Sequence, residues 1–272
     1  MAFFTRTNIL KLLAGVMLIL GLLLVLSIGV VFYFAPQLSE EVFSASQYFW
    51  FNYEPRVQGL WWNGAGAVFL YIAGVILFLF ARNFFRRSVH AEYFFLAIFA
   101  FSFWFESLRI ISLVIFNLKL PLGLISFITR LIFSVRLLGL LAVFFTSLYL
   151  FDFQYQRFDF LFLLMLITSL ILGFSLPLNQ ELVLSNGLAR LLDEKGLFII
   201  YFSFFLILFF NLALALQRGR HLLLILGIAL LLISRELLFF ILSPLSLGLS
   251  IAIFSGGAFC LYRDFIKNFA LS

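Results

Sequence analysis

The chain has 272 residues, of which 65% are hydrophobic and 11% are charged. Soluble globular proteins carry roughly 25% charged residues, so this composition excludes an ordinary water-soluble domain. The net charge of +6 does not indicate nucleic-acid binding, because the basic residues are scattered between apolar runs. In lipid, a helix satisfies its own backbone polar groups, so long apolar runs without alternating polarity predict an all-α integral membrane protein.

In chain order, the first apolar run follows Arg6 and Lys11 and is longer than the apolar region of a signal peptide, which is about 7–15 residues. It is therefore expected to remain as a membrane helix. Runs of about 17–25 apolar residues can cross a bilayer. They lie at 12–35, 65–82, 93–117, 123–150, 159–177, 197–216, 222–242 and 245–262. The eighth is the shortest and contains Gly256 and Gly257, so a re-entrant segment is its alternative.

The chain is thus predicted to be a single polytopic domain over residues 1–272, with about eight transmembrane helices in the lipid bilayer. Orientation follows from the excess of Lys and Arg in cytoplasmic loops. With the N-terminus inside, the cytoplasmic basic residues would be Arg6, Lys11, Arg82, Arg86, Arg87, Arg157, Arg218, Arg220, Arg263 and Lys267. Those outside would be Arg56, Lys119, Arg190 and Lys195. This bias predicts a multi-pass protein of the cell (inner) membrane with both termini in the cytoplasm.

Two longer loops lie on the outer side in this topology. Residues 36–64 are rich in aromatic side chains, which suits a segment lying on the membrane surface. Residues 178–196 are expected to contain a short amphipathic helix that ends near Gly196. The spans also divide into two four-helix halves of the same orientation, in which His90 precedes Glu106 and His221 precedes Glu236 at similar separations. A parallel repeat is therefore one interpretation of the architecture.

Six charged residues remain in the interior of the predicted spans, away from the span ends. Each would cost roughly 2.5–3.5 kcal/mol at the centre of an isolated helix, so six without partners would cost on the order of 15–20 kcal/mol. Because that rivals the stability of a typical domain, these groups are expected to pair or to face water. They are the candidate ligand-binding residues Glu106, Arg109, Arg130, Arg136, Arg235 and Glu236.

The depth of these residues follows from a rise of about 1.5 Å per residue. The four residues at nearly one level, about 9–12 Å from the outer helix ends, are Arg109, Arg130, Arg235 and Glu236. Glu106 lies deeper and, three residues from Arg109, shares its helix face.

Arg136 lies deeper still, and it is about 120° around the helix from Arg130. It is therefore expected to point away from the other charges, toward a deeper pocket or a helix carbonyl.

Three interpretations of these charges stay open. The arginines and glutamates could clamp three helices together, which would leave two arginines without a carboxylate. They could form a pocket with net charge near +2 for an anionic small molecule or a lipid headgroup, since the planar arginine fork binds carboxylate and phosphate. They could also line an ion or proton pathway with Glu106 as the carrier.

Three function classes follow. The favoured one is a receptor-like, sensor-like or accessory module that binds an anionic or lipid ligand and acts through a membrane protein partner. The second is a transporter or channel component for an anionic solute, although Pro121 and Pro244 lie in turns and do not break the spans. The third is a membrane enzyme acting on a lipid-linked phosphate, with Glu106 or Glu236 as general base.

The sequence lacks the common nucleotide-binding and catalytic motifs. It has no Walker A loop, no HExxH pair and no G-x-S-x-G elbow. Its single cysteine, Cys260, and its two histidines do not suggest a metal site. No catalytic residue, metal or cofactor is predicted.

Overall fold

The computed structural model describes residues 2–34, 57–88, 91–117, 121–150, 158–183, 188–192, 194–217, 222–240 and 244–269, and within them the chain is a helical bundle with one small sheet. The helices are α1 (Ala2–Phe34), α2 (Val57–Ser88), α3 (Ala91–Phe105), α4 (Arg109–Asn117), α5 (Leu122–Leu150), α6 (Phe158–Phe174), α7 (Glu194–Gln217), α8 (Leu222–Phe240) and α9 (Pro244–Phe269). The strands are β1 (Leu178–Val183) and β2 (Ala189–Leu191).

Six of the helical segments are long and apolar enough to cross a membrane. They are Thr7–Val30, Gly64–Arg86, Ala91–Ser112, Gly123–Tyr149, Leu222–Phe239 and Pro244–Lys267. The apolar stretches Phe160–Phe174 in α6 and Ile199–Leu214 in α7 are shorter. The predicted helical architecture is therefore confirmed, and six of the eight predicted spans coincide with helices of sufficient length.

Helix α3 lies at the centre of the bundle and packs antiparallel to α2 on one side and to α5 on another. At the contact with α2, a Cβ atom on Gly74 would lie 2.6 Å from the Cα atom of Trp104. The glycine is therefore required for this close approach. On the other side, the rings of Phe95 and Phe145 stack with their centroids 5.6 Å apart. This central position encloses the charged turn that follows α3.

Helices α2 and α9 run parallel to each other. Phe69 packs edge-on against Phe254, and further along both helices Phe84 contacts Phe265. The far ends of the two helices therefore lie at the same end of the bundle. The basic residues carried by these ends are Arg82, Arg86, Arg263 and Lys267.

Helices α8 and α9 form a close antiparallel pair. The Ser234 hydroxyl donates to the Ser250 carbonyl at 2.9 Å, and the Ser250 hydroxyl donates to the Ser234 carbonyl at 2.8 Å. One end of the pair is held by Gly227 and Gly257, where a Cβ atom on either would lie within 3.0 Å of the carbonyl oxygen of the other. Small residues thus let the two backbones approach, as is typical of membrane helix pairs.

Alanine at Gly257 is expected to destabilise the protein, whereas alanine at the neighbouring Gly256 is not. A Cβ atom on Gly257 would meet the Gly227 carbonyl oxygen at 3.0 Å, while one on Gly256 would meet only Leu230 at 3.8 Å. Overpacking typically costs about 1–3 kcal/mol. Unfolding of both variants in mixed detergent micelles measures the difference, and equal stabilities would contradict the assigned packing.

Helix α9 is continuous from Pro244 to Phe269. This continuity does not favour the re-entrant alternative for the eighth span. The helix also extends past the predicted boundary at residue 262 and buries Asp264, which is 4% exposed. Residues 35–56 of the first outer loop, together with His90 and His221, lie outside the described residues, so the surface segment and the parallel repeat stay predictions.

The expected amphipathic helix in residues 178–196 is wrong. These residues contribute the antiparallel strands β1 and β2, and α7 already begins at Glu194. Leu178 pairs with Leu191, and both side chains are buried. Burial against the helices stabilises the hairpin. This tertiary contact outweighs the helical pattern of the local sequence. Its base is closed by the N–H of Leu192, which donates to the Pro177 carbonyl at 2.9 Å.

The third predicted span is not one regular helix. A single 3-10 turn, Glu106–Leu108, separates α3 from α4. The Ser107 hydroxyl donates to the Trp104 carbonyl at 2.7 Å, and the N–H of Arg109 turns back to the Glu106 carbonyl. A 3-10 stretch inside a helix often marks a functional hinge, and here it carries a buried carboxylate.

Candidate functional site

Glu106 is the centre of the site. The 3-10 turn places its carboxylate between α5 and α8, and its side chain is 2% exposed. One carboxylate oxygen accepts a hydrogen bond from Nη1 of Arg136 at 3.0 Å. The other oxygen accepts from Arg235 on α8. A single buried carboxylate therefore joins the α3–α4 turn to two other helices.

Arg136 also pairs with a second carboxylate, on the side away from Glu106. Its second terminal nitrogen, Nη2, pairs with Oε2 of Glu236 on α8. The four side chains form an alternating series, Arg235–Glu106–Arg136–Glu236, which we call the ion chain. It contains two positive and two negative groups, so it neutralises itself. Buried charges need such pairing, since each would otherwise lose its hydration without compensation.

Aromatic rings surround the arginines of the ion chain. The Arg136 guanidinium carbon lies 3.6 Å from the centroid of the Phe239 ring and 5.4 Å from that of Tyr201. The Arg235 guanidinium carbon lies 5.6 Å from the centroid of Phe99. Cation–π contacts strengthen when water is excluded. They therefore add to the stabilisation that the carboxylates give to both guanidinium groups.

Gly139 makes room for the ion chain. It follows Arg136 by three residues on α5 and faces Ser102 of α3. A Cβ atom on Gly139 would lie 2.7 Å from the Ser102 Cβ atom and 2.9 Å from Nη1 of Arg235. Any larger residue would therefore displace either α3 or the Arg235 guanidinium.

The prediction that Arg136 points away from the other charges is wrong. Nη1 of Arg136 binds Glu106, and Nη2 binds Glu236. The guanidinium lies over the Phe239 ring of α8. A long arginine side chain carries its charge well away from its Cα atom, so depths and angles counted by Cα position do not reveal these contacts.

Arg109 and Arg130 occupy separate positions. Arg109 is buried, and its Nη1 donates to the Leu238 carbonyl at 3.3 Å, next to the ring that covers Arg136. Arg130 is half-buried on α5, one turn from Phe133, which packs edge-on against Phe239. Within the described ranges Arg130 pairs with no carboxylate, and its Nε has no hydrogen-bond partner.

Two polar atoms at the α7–α8 side of the ion chain lack partners in the described part of the molecule. One is Oε1 of Glu236, whose other oxygen pairs with Arg136. The second is the hydroxyl of Tyr201, which is 5% exposed. Both side chains adjoin the same guanidinium group. Buried polar atoms are normally satisfied, so this pair, like Nη1 of Arg235, is a candidate contact for a bound water, ion or ligand.

The β-hairpin covers α5 close to Arg130. The N–H of Ala189 donates to the Thr129 hydroxyl at 2.9 Å, and Leu188 and Ala189 are fully buried. Non-helical backbone at membrane depth is tolerated where protein encloses it or where it lines a polar cavity. The hairpin is therefore a candidate cover for the polar region beside Arg130.

Replacing Thr129 by valine is expected to loosen this cover. Valine preserves shape but removes the acceptor, which leaves the buried Ala189 N–H without a partner at a cost of about 1–3 kcal/mol. Thr129→Ser keeps the hydroxyl and serves as the control. Amide hydrogen exchange of the hairpin measures the effect, and equal protection in both variants would contradict the assigned role of this bond.

Sequence reasoning missed Tyr201 and Gly139. Tyr201 resembles the interfacial tyrosines that are common near helix ends, and Gly139 resembles an ordinary packing glycine. One signal was available for Gly139, which lies one turn from Arg136 on the same helix face. For a metal, no group of three histidine, cysteine, aspartate or glutamate side chains comes together among the described residues.

Comparisons of the chain with protein-family models, with curated proteins and with solved structures found no match.

Proposed function

We propose that this chain is an integral membrane protein with eight spans that binds an anionic ligand beside the ion chain, as a receptor-like or accessory module. The parallel packing of α2 and α9 supports an even number of spans. It requires an even number of membrane crossings after α2, so α6 and α7 either both cross the membrane or both do not. The basic residues gathered at one end support the cell (inner) membrane with both termini in the cytoplasm.

Two features support an anionic ligand. The six charges inside the predicted spans sum to +2, because four arginines accompany two glutamates. Since the ion chain neutralises itself, Arg130, which pairs with no carboxylate among the described residues, contributes to this excess of positive charge. Arginine is well suited to phosphate and carboxylate because its fork donates two parallel hydrogen bonds.

The observation that carries the proposal is the pair of buried atoms without partners, Glu236 Oε1 and the Tyr201 hydroxyl. An unpaired buried polar group costs about 1–3 kcal/mol, so a bound group that satisfies both atoms would gain this free energy. The ion chain itself is neutral and does clamp three helices. We therefore infer that the clamp holds the binding groups in place and that the ligand binds at its α7–α8 side.

Arg130→Gln tests this proposal with Arg86→Gln as the matched control. Both remove one positive charge, but Arg86 is exposed at the other end of the bundle. The full-length protein in phosphatidylcholine nanodiscs is titrated with dioctanoyl phosphatidic acid and with inorganic phosphate, which separates a lipid headgroup from a free anion. We expect about a tenfold loss for Arg130→Gln, which corresponds to about 1.4 kcal/mol, and no change for Arg86→Gln. Failure of the wild-type protein to bind either probe, or equal losses in both variants, would reject the proposal.

One observation favours a transporter as the second candidate. The 3-10 turn at Glu106–Leu108 interrupts a buried helix at its charged residue. Transporters place substrate sites at such interruptions. Proteoliposomes loaded with phosphate decide between the two, because a binding module retains its anion and a transporter releases it down a gradient.

A further inference from the structure

The two carboxylate oxygens of Glu236 have different environments. Oε2 pairs with Arg136, whereas Oε1 is buried without a partner among the described residues. A carboxylate oxygen only accepts hydrogen bonds. Whatever satisfies Oε1 must therefore donate one. The nearby Tyr201 hydroxyl can either donate or accept, so it adapts to the same bound group.

The required donor restricts the class of ligand. Sulfate, a phosphodiester and an ordinary carboxylate ion have no proton on the charged group, so each would repel Glu236. An ammonium group would donate, but the Arg136 guanidinium already lies on the other oxygen of the carboxylate and would repel it. The monoanion of a phosphomonoester carries one P–O–H, and it makes up a large fraction of the population near pH 6, because the second pKa of the group is about 6. It offers one donor and several acceptors within a single tetrahedral group.

We propose that the site recognises the singly protonated phosphate of a phosphomonoester, with Glu236 Oε1 accepting the P–O–H proton and the Tyr201 hydroxyl donating to a phosphate oxygen. This inference rests on the anionic ligand proposed above and specifies its chemistry. Glu236 then acts as a selectivity element, since it admits an anion only if that anion carries a proton. The phosphate belongs either to free phosphate or to a lipid headgroup.

The experiment compares two lipids in the full-length protein in phosphatidylcholine nanodiscs at pH 6. Dioctanoyl phosphatidic acid carries the P–O–H group, and dioctanoyl phosphatidylmethanol has a methyl group in its place. We expect phosphatidic acid to bind at least tenfold more tightly. Inorganic phosphate and sulfate form the parallel pair without lipid. If only phosphatidic acid is preferred over its methyl ester, the ligand is a lipid headgroup. If only inorganic phosphate is preferred over sulfate, the ligand is free phosphate.

Tyr201→Phe keeps the ring beside Arg136 and removes only the hydroxyl. Since that hydroxyl has no partner among the described residues, the stability of the ligand-free protein should not fall. Binding of phosphatidic acid should weaken about tenfold. Tyr262→Phe, on the exposed face of α9, is the control and should leave binding unchanged. Glu236→Gln should abolish the preference for phosphatidic acid over phosphatidylmethanol.

The outcomes separate this inference from the proposed function. If both lipids bind equally and Arg130→Gln weakens both, an anion site exists but the requirement for a proton is rejected. If neither lipid nor either inorganic anion binds, both proposals fail and the two buried atoms are satisfied by water. If Glu236→Gln does not fold, the wild-type lipid pair together with Tyr201→Phe still decides the question.

Discussion

Replacing Glu106 by glutamine is expected to destabilise the protein by about 3–5 kcal/mol, the typical cost of breaking a buried ion pair from one side. Glutamine has nearly the same shape, so no cavity forms. The variant removes the carboxylate that pairs with Arg235 and one of the two carboxylates that pair with Arg136 among the described residues. Because both guanidinium groups are fully buried, they cannot recover hydration by a small movement. Titration of detergent-solubilised protein with a denaturing detergent measures the free energy of unfolding.

Glu236→Gln serves as the internal comparison for this prediction. Glu236 contacts only one arginine of the ion chain and is 13% exposed. Its replacement should therefore cost less than that of Glu106. A larger cost for Glu236→Gln than for Glu106→Gln would contradict the assignment of Glu106 as the centre of the ion chain.

A double-mutant cycle separates ion pairing from general disruption. Glu106→Gln combined with Arg235→Gln removes both partners of one pair, so the unpaired buried charge no longer exists. The double variant should be less destabilised than the sum of the two single variants, by about 0.5–3 kcal/mol. Simple additivity would show that the contact between these two side chains contributes no stability.

Much of the helical architecture could be predicted from the sequence because apolar runs in this chain are bounded by charged turns. The boundaries of α5 at Leu122 and Leu150 differ by at most one residue from the predicted span 123–150. Periodicity and hydropathy could not reveal the strands β1 and β2. Their residues predict a short amphipathic helix, whereas their pairing as strands depends on burial against α5, which is a tertiary effect.

The candidate site could likewise be predicted only in part, because its ion pairs also depend on tertiary contacts. Glu106 and Arg235 are conspicuous because charge is costly among apolar residues, so the sequence identifies the groups that need partners. It does not identify which partners they choose. That choice depends on the reach of long side chains, on the 3-10 turn that presents Glu106, and on the space left at Gly139. Tyr201 could not be selected, because nothing distinguishes its hydroxyl from that of other tyrosines until α7 is placed against α8.

Gly139→Ala is expected to produce the second large effect, by opening the ion chain without removing any charge. The added Cβ atom would lie 2.7 Å from the Ser102 Cβ atom and 2.9 Å from Arg235 Nη1. Real Cβ atoms do not approach so closely, so α3 or the guanidinium must move. Overpacking alone costs about 1–3 kcal/mol, and displacing Arg235 from Glu106 adds to it. Thermal unfolding of the variant in detergent measures the loss.

Two controls show whether the effect arises at this contact. Gly123→Ala lies on the same helix, where a Cβ atom would meet nothing within 4 Å. It should therefore be neutral or slightly stabilising, because alanine favours a helix over glycine by about 1 kcal/mol. Combining Gly139→Ala with Ser102→Gly removes the nearest side chain and should recover part of the lost stability. If the second substitution brings no recovery, the crowding is not at Ser102. Equal stabilities of Gly139→Ala and Gly123→Ala would mean that no space at Gly139 is needed for Arg235 to reach Glu106.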